Sequence, residues 1–123
     1  MVTVVVCLLS QRVSSFLPCA TKQVLINTRV IKHLYDRKPA EEFDFVVTHL
    51  VELLVEPDLV FTNKDSKRGD YAFVKKIDMD DYFCALEKLK YSLHVVTVFR
   101  LRKKNYLKNY KLMWSRRGDT PSS

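Results

Sequence analysis

Five side chains of this 123-residue chain are suited to handling a phosphodiester: His33, Lys75, Thr97, Arg100 and Tyr106. An imidazole titrates near neutrality, so His33 is the foremost candidate acid or base. Arg100 carries a guanidinium fork that matches two phosphate oxygens. Lys75 falls between Phe73 and Ile77, an unexpected place for a cation unless it faces a cleft. Thr97 offers a hydroxyl donor, and Tyr106 a phenol that stacks on a base or gives up a proton. Cleavage of RNA by its own 2′-hydroxyl requires such a set: a base for the hydroxyl, an acid for the leaving oxygen, and cations at phosphorus.

Each of these residues also has an ordinary reading. His33 lies opposite the apolar stripe of its helix, and from pattern alone it reads more readily as an ordinary solvated histidine. Arg100 would be a strand-end arginine in water, and Tyr110 a core residue. A regular strand puts Thr97 and Arg100 on opposite faces, so they cooperate only if a bulge or bend separates them. His49 sits beside apolar helix positions and His94 opens a strand. The chain has only Gly69 and Gly118, hence no glycine-rich phosphate loop. No His-Glu-x-x-His helix or Gly-x-Ser-x-Gly elbow is present, and Asp78, Asp80 and Asp81 occupy an expected turn. Neither a metal nor another cofactor is expected.

Charge is distributed unevenly. The net charge is +7, which favours an anionic partner, RNA before acidic lipid or an acidic immunity or antitoxin protein. Acids gather between Asp36 and Asp58. From Lys88 to Arg117 there are ten basic residues and no acid. Lys64, Lys67 and Arg68 on a hairpin, with Arg102, Lys103, Lys104 and Lys108 further on, are the expected nucleic-acid contacts. The bland alternative is a solvated basic face. Three cysteines, Cys7, Cys19 and Cys84, lack disulfide or zinc spacing, which points to a reducing, cytoplasmic setting. Val2–Leu9 is apolar but shorter than the roughly twenty residues that span a bilayer. No lysine or arginine precedes it, so an added strand or a poorly ordered extension is expected rather than a weak secretion signal.

These side chains need elements to hold them. Residues 22–27 read as a short strand, and Thr28 then caps a helix carrying Ile31, Leu34 and Tyr35 on one face. Pro39 opens a second helix, with Glu41 and Glu42 at its positive end and Phe43, Val46, Val47, Leu50 and Leu54 as its stripe. Pro57 stops it. Strands follow at Leu59–Thr62, Tyr71–Ile77, Tyr82–Glu87 and Leu93–Leu101, and Lys103–Trp114 reads as a helix with Leu107, Tyr110 and Trp114 inward. The expectation is an α+β fold: N-terminal helices packed on a four-stranded antiparallel sheet, with a C-terminal helix. Residues 1–21 form an extension, 22–114 the domain and 115–123 a flexible tail.

The run Ile31-Lys32-His33-Leu34-Tyr35-Asp36-Arg37-Lys38-Pro39-Ala40-Glu41-Glu42-Phe43-Asp44-Phe45 resembles the opening of small phage-associated domains. So do Lys67-Arg68-Gly69-Asp70, Phe73-Val74-Lys75-Lys76, Val96-Thr97-Val98-Phe99-Arg100 and Tyr106-Leu107-Lys108-Asn109-Tyr110. The group is the barnase–EndoU–colicin E5/D–RelE-like (BECR) nucleases, in their phage-linked branch, and the likeness spans about residues 22–121. It implies helices on a four-stranded antiparallel sheet and a metal-independent endoribonuclease, used as a toxin or in phage–host conflict. Carried over residue by residue, it supports His33, Lys75, Thr97, Arg100 and Tyr106. No glutamate base is evident on the central strands, since Glu87 falls at a strand end. Two rivals remain: a non-catalytic nucleic-acid-binding module on the same surface, and a phage structural or partner-docking protein working through its acidic second helix.

Overall fold

The computed structural model describes residues 2–15, 17, 23–63, 69–89, 92–102 and 104–115. The elements run β1 (Thr3–Leu8), α1 (Gln11–Ser14), β2 (Gln23–Asn27), α2 (Thr28–Arg37), α3 (Ala40–Val55), β3 (Leu59–Asn63), β4 (Tyr71–Ile77), β5 (Asp80–Lys88), β6 (Leu93–Arg100), a 3₁₀ turn at Lys104–Asn109, and β7 (Tyr110–Ser115). They build one seven-stranded sheet in the order β1-β2-β6-β5-β4-β3-β7. All neighbours are antiparallel except β2 and β6, which run parallel through Val24–Leu93 and Leu25–His94.

The expected four-stranded antiparallel sheet is therefore replaced by a mixed sheet of seven, and the stretch expected as a C-terminal helix holds the 3₁₀ turn and β7 instead. Both corrections have a physical cause. Tyr110 and Trp114 are four apart, which suits a helix, but Tyr110, Leu112 and Trp114 are also two apart, which suits a strand. The tie is broken by β3, whose outer edge would otherwise present unpaired backbone groups. It takes Tyr110–Ser115 as a partner, Asn63 opposite Tyr110 and Val60 opposite Trp114. The parallel β2–β6 contact joins segments far apart in sequence, and no local periodicity encodes it.

The sheet separates two cores. On one face Val24, Ile26, Phe73, Cys84, Leu86, Val95 and Val98 meet Leu34 of α2 and Val46, Leu50, Leu53 and Leu54 of α3. On the other, Phe61, Ala72, Val74, Phe83 and Ala85 are covered by Val96, Phe99, Leu101, Tyr106, Leu107 and Tyr110. Burying each large apolar side chain contributes about 1.5–3 kcal/mol. α2 is capped by Asn27, whose side chain accepts from the Arg29 N–H at 2.7 Å, and not by Thr28. The Thr28 N–H instead donates to the Val2 carbonyl at 2.9 Å, tying the start of β1 to the start of α2. Among the described residues no helix is long and apolar enough to cross a membrane.

Gly69 precedes β4 with φ +100°, and a Cβ there would sit 2.9 Å from the Leu86 carbonyl oxygen. Asp70 beside it donates its N–H to that same oxygen at 2.7 Å and accepts from the Lys88 N–H through its carboxylate at 2.7 Å. Gly69→Ala should destabilise the fold by about 1–3 kcal/mol, from backbone strain and the displaced β5 carbonyl. Urea unfolding measures it.

Cys84 is fully buried, and burial pushes its thiol far above the usual value of 9.0. The unfolded chain ionises this thiol near 9.0 while the folded chain keeps its proton. Stability is then unaffected below that pH and falls above it, by up to about 1.4 kcal/mol per pH unit. Tyr82, raised chiefly by burial and then by Asp80, adds to the fall above its usual 10.0. Cys84→Ala should flatten the alkaline limb of a urea-stability profile, even though it lowers the neutral plateau by leaving a small void.

Candidate functional site

Lys75, Tyr82 and Arg100 form a row across the helix-covered face: β4 pairs Lys75 with Tyr82, and β5 pairs Tyr82 with Arg100. Adjacent strands lie about 4.8 Å apart, so this row is roughly 10 Å long. Its two ends have different environments. Lys75 is 6% exposed, and its Nζ donates to the Glu56 carbonyl at 2.7 Å, closing the C-terminus of α3. Arg100 is half-exposed and faces Asp80 at 3.7 Å. Phe45 of α3 packs on the Tyr82 ring at 5.1 Å.

Beyond Arg100 the chain continues through Leu101, whose N–H donates to the Asp81 carbonyl at 2.7 Å. This holds Arg102 near the first turn of α3, where its guanidinium meets the Glu42 carboxylate at 3.4 Å. Lys38, the residue closing α2, places its ammonium 5.9 Å from the centre of the Phe99 ring. Burial lowers the pKa of Lys38; the Glu42 charge pulls it back up and the Arg102 charge pushes it down. Glu42 also acts on Tyr82. Five charged groups, Lys38, Glu42, Asp80, Arg100 and Arg102, thus gather with Tyr82 and Phe99 where β6 ends.

The side chains expected from sequence divide among different places. Arg100 and Arg102 belong to this cluster. Lys75 shares its face, but its ammonium is committed to the helix end. Thr97 pairs with Ala85 on the opposite face, because the register shift that frees Val96 lies before Thr97 and not between Thr97 and Arg100. Tyr106 is on that opposite face too, edge-on to Phe83 and Phe99 and 6.3 Å from the Tyr110 ring. Lys108, on the same 3₁₀ turn, is exposed. His33 is exposed on α2, and no hydrogen bond or ion pair joins it to the other four among the described residues. His49 bonds Glu52 at 3.1 Å and His94 bonds Ser92 at 2.9 Å. Lys64, Lys67, Arg68, Lys103 and Cys19, and the side chain of Lys104, lie outside the described residues.

Lys38 and Glu42 were not singled out from sequence, although each left a signal. Glu42 stands one turn before Val46, so it carries the buried stripe of α3 into its first turn, and Lys38 stands one turn after Leu34, at the C-cap of α2. A glutamate in the first turn of a helix has a sufficient explanation in the helix dipole, which hid its position on the inward face.

Compared with protein-family models, with curated proteins and with solved structures, the chain finds no match in any of the three.

Proposed function

We propose that this chain is a metal-independent endoribonuclease whose chemistry lies at the end of β6. One observation carries the reading: Lys38, whose pKa burial lowers, and the partly buried Glu42 carboxylate act on each other and on Arg102, while Glu42 and Arg100 both act on Tyr82. A lysine whose pKa is lowered, beside a carboxylate and among cations, suits acid–base work on a phosphodiester. Glu42 takes the proton of the RNA 2′-hydroxyl, and the 2′-oxygen attacks phosphorus. Lys38 gives its proton to the departing 5′-oxygen. Arg100 and Arg102 offset the charge that develops on the phosphoryl oxygens. The products are a 2′,3′-cyclic phosphate and a 5′-hydroxyl. The BECR-like motifs of the sequence lend the same direction of support.

The test is to incubate the full chain with several unrelated RNAs in excess EDTA and to identify the end groups. Cyclic-phosphate ends are expected; intact RNA throughout overturns the reading. His33→Ala should leave the rate unchanged, and a large loss there would return the acid–base role to the imidazole.

A second reading, binding of single-stranded nucleic acid without cleavage, has its own observation. Tyr106 and Tyr110 are partly exposed beside Phe99, and Arg102 lies just before their segment. Rings next to cations form a stacking platform for bases. Salt-sensitive binding with no cleavage would favour it.

A further inference from the structure

Between α2, α3 and the sheet lies a cavity of about 210 Å³. Its walls include Val6 of β1, Ile26 of β2, Ile31 and Leu34 of α2, Leu50 of α3 and Val98 of β6, and among the described residues every lining side chain is apolar. The register of β1 shifts between Val5 and Cys7, and the extra residue, Val6, is the one that lines the cavity. A bulge re-aims a side chain in this way. The cavity is not sealed. Val47 and Val51, one turn apart on α3, line it and are 48% and 47% exposed. Val4, whose β2 partner is Ile26 of the cavity wall, is 45% exposed close by. Two exposed β-branched residues stacked on one helix face gain little from helix propensity. They form an apolar rim.

We propose that this cavity is a binding site for a small apolar molecule, an alkyl chain or an alkyl-substituted ring, entering between Val47 and Val51. The volume and lining choose the class. An apolar cavity of about 150 Å³ stays dry and accepts benzene, so this one holds a ring with a short alkyl arm or an alkyl chain of like size. A polar head has no partner among the described wall residues and remains at the mouth, in water. A guest would bridge α2, α3 and the sheet without touching the end of β6.

Straight-chain alcohols from pentanol upward are the probe, titrated into the full-length protein and followed by the methyl resonances of its valines, leucines and isoleucines. Saturable shifts are expected at residues of the cavity wall. Affinity should tighten about fourfold per added methylene until the cavity is filled, and then level off. Val47→Glu should weaken binding about tenfold or more, because the guest would desolvate a carboxylate at the mouth. Val5→Glu, exposed on the other face of β1, should leave binding unchanged. The proposal is overturned if no saturable shift occurs up to the solubility limit, if affinity ignores chain length, or if Val5→Glu weakens binding as much as Val47→Glu. It is also overturned if sedimentation shows two chains joined so that the mouth is closed.

Discussion

Glu42→Gln should slow RNA cleavage about 10²–10⁴-fold, the range that a well-placed proton acceptor contributes. The amide keeps the shape of the side chain and its ability to accept from Arg102, so folding is little affected. Glu42→Asp, which keeps the charge on a shorter arm, should recover part of the rate. The pH profile is the sharper readout. If Lys38 acts as the acid, cleavage falls as pH rises through its pKa, which burial places below the usual 10.5. The Glu42 charge raises that pKa and the Arg102 charge lowers it. The residual activity of Glu42→Gln should therefore lose its alkaline side at a lower pH than wild type. Arg102→Met should shift it the other way. Opposite displacements from two neighbouring substitutions are not what loss of folding produces. An unchanged rate in Glu42→Gln would remove the base from this site.

The same lysine links the site to stability with a definite sign. Its folded pKa lies below its unfolded value, so between the two the unfolded chain binds more protons. Stability should rise with pH across that window, while Cys84 and Tyr82 act against it.

Local pattern made part of this architecture legible. The alternation of Tyr71, Phe73, Lys75 and Ile77 against Ala72, Val74 and Lys76 gave both faces of β4, because successive side chains of a strand point to opposite faces. α3 was equally plain as a helix, although Val47 of its expected stripe is exposed and Leu53, outside that stripe, is buried. What stayed hidden depends on partners. β7 carries a pattern that serves helix and strand alike, and only the free edge of β3 decides between them. The pairing of β2 with β6 is a long-range contact. For the site, Arg100 and Arg102 stand out by type, whereas Lys38 and Glu42 become interesting only when the turn at Pro39 brings two helix ends to the same strand. Thr97 and Tyr106 look like neighbours of Arg100 in sequence, yet the sheet places them on its far face.

Lys75 is where reasoning by residue type and reasoning by environment diverge most, and they predict different outcomes for one substitution. A lysine flanked by Phe73 and Ile77 invites a catalytic role. In the fold its stem is buried, and its ammonium donates to the Glu56 carbonyl at 2.7 Å, one of the carbonyls that the end of α3 leaves without an intrahelical donor. A cation there also meets the negative end of the helix dipole. Lys75→Ala removes a charge-assisted hydrogen bond, takes the ammonium donor from the Glu56 carbonyl and empties the space of the buried stem, at a cost of about 2–5 kcal/mol. Lys75→Met keeps most of the volume and should cost about 1–3 kcal/mol. Both values come from urea unfolding at neutral pH. A domain of this size has roughly 5–15 kcal/mol to lose, so both variants should still fold in the cold. Cleavage measured there, per folded molecule, should match wild type. A Lys75→Met protein that unfolds like wild type yet has lost its activity would return this lysine to the reacting phosphate.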